Sequence, residues 1–194
     1  MPRRGPATRE YWETYPTTHF QELGETCHTL MQEVLHVSPD RNAAILDMGC
    51  NVGRHLNFLY EKGYRNLRGV DFNSNALAEM ALRYGPMHAG ARLYEMSFEE
   101  FLTSVDDPVD VAYTRGATFE LVHPSFPLIK ELCARVRKHV VLAIHEAGHD
   151  YPRCWEYEFA RQGFELMKLQ RQVASHLPRT KIVTFLTFER ITPY

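Results

Sequence analysis

The sequence predicts an α/β fold: a mostly parallel sheet of seven strands with helices on both faces. Three observations carry that prediction. Residues 43–72 read as a β-α-β unit, with Gly49 and Gly53 in the first turn and an acid at the tip of each strand, Asp47 and Asp71. Short apolar strand candidates then alternate with helical runs as far as Ile144. The end of the chain breaks that rhythm, because residues 164–169 and 181–191 both read as strands.

Each element has a local reason. Residues 1–9 are rich in Pro and Arg, and Tyr11, Trp12 and Tyr15 then cluster beside Pro16. Phe20, Leu23, Cys27, Leu30, Met31 and Val34 follow helical spacing, so residues 19–37 form a leader helix that Pro39 and Asp40 end. The apolar run 43–46 is the first strand. Leu56, Leu59 and Tyr60 mark the helix behind it, and Gly63 stops that helix. Residues 67–70 are the second strand, the alanine-rich stretch 75–84 is a helix halted at Gly85-Pro86, and residues 91–94 are the third strand. Ser97 followed by Glu100 is a capping box that opens the next helix. Asp106-Asp107-Pro108 turns into strand 109–114; Leu128, Ile129, Leu132 and Val136 give helix 125–137, and residues 140–144 are the fifth strand. A helix at 157–162 ends near Gly163 and leads into the two final strands.

The β-α-β unit suits a nucleoside. Glycines let its first turn approach a ligand, and Asp71 stands about 20 residues further on, where an acid accepts both ribose hydroxyls. The spacing is Asp47-x-Gly49-x-x-x-Gly53, with Asn51 where a dinucleotide turn of the form G-x-G-x-x-G wants a glycine. Asp47 beside the turn favours a cationic ligand over a phosphate.

At these residues the chain resembles the class I S-adenosylmethionine-dependent methyltransferases of the small-molecule type. The run Leu46-Asp47-Met48-Gly49-Cys50-Asn51-Val52-Gly53 is similar to their first motif, and Gly69-Val70-Asp71-Phe72 to their second. The resemblance implies a Rossmann-like class I methyltransferase fold in which the last two strands close the sheet as an antiparallel hairpin. It implies S-adenosyl-L-methionine as cofactor, with Gly49 and Gly53 lining its methionine part, Cys50 and Asn51 in the same turn, and Asp47 near its ammonium. Asp71, followed by Phe72, would hold the ribose. Met96, Ser97 and Phe98 would form the adenine pocket, and Thr114 and Arg115 would stand next to the transferred methyl. Residues 1–39 would be a helical leader or lid, with Tyr11 against the methionine chain or the substrate, and residues 40–194 the cofactor-binding domain. The aromatic cluster serves a lid or a homodimer contact on this reading. Phe119-Glu120-Leu121-Val122-His123-Pro124 resembles the L-x-H-x-x-P stretch of small-molecule enzymes, which puts His123 at the mouth of the site.

His145-Glu146-Ala147-Gly148-His149 admits two readings. On a helix it would match H-E-x-x-H, in which two His bind Zn²⁺ and Glu acts as general base. Gly148 and Pro152 disfavour a long helix there, and the apolar run before it fits a strand. On the methyltransferase reading His145, Glu146 and His149 project from the C-terminal edge of the sheet toward the acceptor, with no metal. A His there is suited to take the acceptor's proton, and Glu146 orients that His or binds a substrate amine; sequence does not select the base. Three functions stay open from sequence: a methyltransferase acting on O or N of a small molecule, a cofactor-binding protein without turnover, and a zinc hydrolase.

Composition narrows the partners. A formal net charge of -2 gives no nucleic-acid footprint. No apolar run reaches membrane-spanning length, and Met1 to Pro6 lack the apolar core of a signal peptide. Cys27, Cys50, Cys133 and Cys154 include no C-x-x-C pair, which fits reduced thiols in a cytoplasm.

Overall fold

The computed structural model describes residues 9–14, 23–116, 119, 122–145, 151, 153–173 and 182–194. In chain order the elements are α1 (Arg9–Thr14), α2 (Glu25–Val37), β1 (Ile45–Met48), α3 (Arg54–Glu61), β2 (Leu67–Asp71), α4 (Ser74–Arg83), α5 (Gly85–Gly90) and β3 (Arg92–Glu95). There follow α6 (Phe98–Ser104), β4 (Val109–Arg115), α7 (Leu128–Cys133), β5 (Val136–Ile144), α8 (Trp155–Ala160), β6 (Phe164–Val173) and β7 (Ile182–Arg190). They build one seven-stranded sheet in the order β3-β2-β1-β4-β5-β7-β6. The first five strands pair in parallel and β7 runs antiparallel to both β5 and β6. The expected α/β architecture with a C-terminal hairpin is therefore present.

Both faces of the sheet are covered, so its central strands read as apolar runs without a polar face. Strand β5 shows the consequence: Val140, Leu142 and Ile144 join one core with Phe98, Phe101, Phe159 and Phe188, while Val141 and Ala143 join the other with Leu30, Met31, Leu56 and Phe185. Helix α2 supplies much of the second core, and polar bonds fix it there. Glu33 accepts from Lys168 Nζ at 2.6 Å and from Thr187 Oγ1 at 2.8 Å, which ties the leader helix to the hairpin.

Several boundaries differ from expectation. Helix α2 begins at Glu25, after an extended Gly24, while residues 19–22 lie outside the described set. Gly85-Pro86 does not end helical structure; it opens α5, because a proline in the first helical turn removes an N–H that would have no partner anyway. Helix α7 is shorter than expected and β5 longer. Val136 pairs with Val109 in the sheet, and that tertiary pairing overrides its helical spacing. No helix among the described residues is long and apolar enough to cross a membrane.

Candidate active site

The C-terminal ends of the parallel strands converge on one region, where α/β sheets bind ligands. The register places Asp47 of β1 between Gly69 of β2 and Tyr113 of β4, and Asp71 beside Glu95 of β3. After β1 the chain turns through three left-handed residues: Gly49 (φ 82°), Asn51 (φ 48°) and Gly53 (φ 78°). Asparagine is the side chain that best tolerates that conformation, so it stands in for the missing glycine. Asn51 also does what glycine could not: its Oδ1 accepts from Val52 N at 2.8 Å. A Cβ at Gly53 would lie 2.5 Å from Met80 Cγ, so that position is closed to side chains on steric grounds as well.

Asp71 holds the turn and has capacity left over. Its Oδ2 accepts from Asn51 N at 2.8 Å and its Oδ1 from Asn73 N at 2.9 Å. The Phe72 N–H also pulls on this carboxylate, which with about four lone-pair sites still has capacity to accept from a diol. Burial raises the Asp71 pKa against the pull of those N–H groups, and the Asp47 charge adds to the rise. Asn73 caps α4 through Ala76 N, and its Nδ2 donates to the Trp12 carbonyl at 2.9 Å. That bond lays α1 over the end of β2.

Asp47 is the reverse case. It is 1% exposed, and neither carboxylate oxygen has a hydrogen-bond partner among the described residues. His55 Nδ1 stands 3.7 Å from Oδ2, too far for a hydrogen bond. The Tyr113 hydroxyl faces the same carboxylate and is likewise buried and unsatisfied, as are His55 Nε2 and Arg115 Nε. A cluster of unmet buried polar atoms is expensive unless a ligand or water completes it. An ammonium group fits Asp47, and a ribose fits Asp71.

Behind Asp47 lies a group that no motif announces. His55, on the first turn of α3, interacts with Asp47 on one side and with Cys27 of α2 on the other. Burial opposes the imidazolium, but the two partners outweigh it and raise its pKa. Burial also works against the Cys27 thiolate. Contact with His55, with the charges of His55, Arg115 and Arg54, overcomes it and lowers the pKa from an ordinary 9.0 to about 7. Arg115 Nη2 donates to Thr26 Oγ1 at 2.7 Å, so α2 is joined to the site at two adjacent residues. Cys27 looked like one more apolar position on its helix. His55 was findable only as the residue that must lie beneath the glycine turn.

Some expected site residues are spent on structure. Cys50 directs its thiol into the core, where a Cβ at Gly69 would meet Sγ at 2.8 Å; burial and the charges of Asp71 and Asp47 push its pKa well up. Only its backbone faces the turn, donating to Val70 O at 3.1 Å. Phe98 is buried with Phe101 and Leu102 rather than lining an open pocket, and Ser97 Oγ accepts from Glu100 N at 3.2 Å as the cap of α6. Met96 and Phe72 are half-buried next to Asp71 and Glu95 in the chain. Thr114 Oγ1 donates to Met48 O at 2.7 Å, clamping β4 to the tip of β1.

On the acceptor side, His145 directly follows β5 and is half-buried. Glu146 and His149 lie outside the described residues, as does the side chain of Tyr11. His123 is exposed and its Nδ1 accepts from Ser125 N at 3.2 Å. The same Nδ1 lies 2.8 Å from Ser125 Oγ.

The methyltransferase domain family matches residues 45–140. The chain belongs to the class I S-adenosylmethionine-dependent methyltransferases. Its cofactor is S-adenosylmethionine, which supplies a methyl group activated on a sulfonium. Solved methyltransferases share its fold at low identity. Magnesium protoporphyrin IX methyltransferase from Synechocystis PCC 6803, with bound S-adenosylmethionine, is 13% identical with a TM-score of 0.71, covering 94% of each chain. The 1,6-didemethyltoxoflavin-N1-methyltransferase of Burkholderia thailandensis is 15% identical with a TM-score of 0.67, covering 90% of this chain and 81% of its own. An S-adenosylmethionine-dependent methyltransferase from Mesorhizobium loti is 14% identical with a TM-score of 0.68, covering 84% and 97%. No curated protein matches the chain in sequence.

Proposed function

We propose that this methyltransferase methylates an oxygen or nitrogen atom of a small molecule. The observation that carries the reading is the bond from Asn73 Nδ2 to the Trp12 carbonyl, which draws α1 over the end of β2. A covered site suits a compact acceptor. The magnesium protoporphyrin IX and didemethyltoxoflavin enzymes, similar in fold, support it by the acceptors their names give.

In this reading Asp47, with Tyr113 beside it, binds the cofactor's ammonium, and Asp71 binds its ribose. Gly49, Asn51 and Gly53 shape the turn around the methionine part; Phe72, Met96 and Ser97 border the adenine. The rest of the task is to align the acceptor atom, exclude water and receive its proton. In this reading His145, directly after β5, takes the proton, since an imidazole accepts one near neutral pH. The free cysteines support a cytoplasmic setting.

The test is methyl transfer from tritiated S-adenosylmethionine to a cell extract split into metabolite, protein and RNA fractions. Label in the metabolite fraction is the expected result. Label confined to RNA or protein overturns the small-molecule reading while leaving the enzyme class intact.

A further inference from the structure

Arg153 lies between the end of β5 and α8, and two ring contacts bracket it. Tyr151 meets His123 edge-on with centroids 5.3 Å apart, and Trp155 meets Phe119 edge-on, also at 5.3 Å. Both partners follow β4 in the chain. Arg153 is therefore held where the segments leaving β4 and β5 come together, on the C-terminal side of the sheet. Asp47 and Asp71 stand on the neighbouring strands β1 and β2.

The side chain of Arg153 is 8% exposed. Nη1 donates to Glu158 Oε2 at 3.2 Å. Nε and Nη2 are buried and have no hydrogen-bond partner among the described residues. Those two nitrogens form one edge of the guanidinium, with parallel N–H bonds spaced to match the two oxygens of a carboxylate. The same molecule shows that edge filled. Arg68 donates from Nε and Nη2 to the two oxygens of Asp107 at 2.7 and 2.8 Å. Leaving such an edge unpaired is costly, and among the described residues no second carboxylate meets it.

We propose that the Nε/Nη2 edge of Arg153 receives a carboxylate of the methyl acceptor, so that the substrate is a small organic acid. The inference rests on the methyltransferase reading of the same site. A carboxylate also belongs to the cofactor's methionine part. Arg54, however, already interacts with the Asp47 charge. The cofactor end thus has a basic group of its own, and Arg153, in the segment after β5, is left for the acceptor.

The test uses full-length protein with 15N-labelled arginine side chains, first saturated with S-adenosylhomocysteine, then titrated with acetate and benzoate and with acetamide and benzamide. The expected result is a saturable downfield shift of the Arg153 Nε–H with a carboxylate and none with its amide. In Arg153→Lys and Arg153→Gln, carboxylate affinity should fall by about tenfold or more, with S-adenosylhomocysteine affinity held within about twofold. The proposal is overturned if neither carboxylate binds more tightly than its amide. It is also overturned if S-adenosylhomocysteine alone moves the resonance and both variants bind it weakly, because the edge then belongs to the cofactor. Failure of S-adenosylhomocysteine to bind the wild-type protein at all would be a failure of the methyltransferase reading itself.

Discussion

The two edges of the sheet treat buried charge in opposite ways. At the N-terminal edge Asp107 gathers Arg68, Arg92 at 3.2 Å and the Tyr94 hydroxyl at 2.8 Å. The Arg68 and Asp107 side chains are only 6% and 10% exposed, and that fork is closed. Asp107 is held below the usual carboxylate range: burial raises its pKa, and the bonds from Arg68 and Tyr94 outweigh it. At the C-terminal edge Asp47, His55, Tyr113, Arg115 and Arg153 all keep buried polar atoms without partners among the described residues. The first edge is built to stay folded, while the second carries unmet hydrogen bonds that a ligand can complete. Position in a parallel sheet explains the difference, since ligands enter at the C-terminal ends of the strands.

Removing a partner should therefore hurt stability at one edge and binding at the other. Asp107→Ala strands a buried guanidinium and should cost about 3–5 kcal/mol in denaturant unfolding. Affinity for S-adenosylhomocysteine in the fraction that stays folded should be unchanged. Asp71→Ala should weaken S-adenosylhomocysteine by about 1.5–3 kcal/mol in calorimetric titration, because the ribose loses a charged acceptor. An unchanged affinity would remove Asp71 from the site. Thr114→Val deletes the hydroxyl clamp onto Met48 and should lower stability by about 1 kcal/mol, with cofactor affinity little altered. Arg153→Met should leave the unfolding midpoint level or higher, since its Nε/Nη2 edge contributes nothing to the folded state without ligand. A loss as large as that of Asp107→Ala would break the contrast between the edges.

A pH titration sharpens the same contrast inside the site. The Cys27 pKa is depressed, so the stability its thiolate contributes is complete above an ordinary 9.0 and is lost as pH falls through about 7. The His55 pKa is raised, so its contribution is complete below the unfolded imidazole value and is lost as pH rises through the folded one. Ultraviolet absorbance of the thiolate should show a midpoint near 7 for Cys27 in the wild-type protein. His55→Ala should move that midpoint upward. A midpoint that does not move would mean that His55 does not hold the thiolate.

Much of this was legible before folding. The strands of the β-α-β unit, the left-handed turn and the acids at both tips depend on a short segment whose backbone preferences are local. Asn51 looked like a departure from the motif and proves to be its left-handed residue. Side-chain roles within the same motif were less legible. Cys50 stands between Gly49 and Asn51, yet the pleat sends its thiol away from the turn and into the core beside Gly69. Val136 kept helical spacing and became the first residue of β5, because its pairing with Val109 lies outside any local window. The spacing His145-x-x-x-His149 matches a metalloprotease pattern that has meaning only on a helix; His145 directly follows β5, and Glu146 to His149 lie outside the described residues.

The sequence by itself determined the α/β class, the glycine turn and the two acids, because each follows from residues close together along the chain. Only the tertiary structure decided which buried charges are complete. Arg68 meets Asp107 39 residues away with a closed fork, whereas among the described residues Arg153 bonds Glu158, five residues away, through one nitrogen. Cys27 acquires a low pKa because α2 folds back onto His55 and Arg115. Whether a polar group is satisfied depends on what the rest of the chain brings within hydrogen-bonding distance, and no local pattern encodes that.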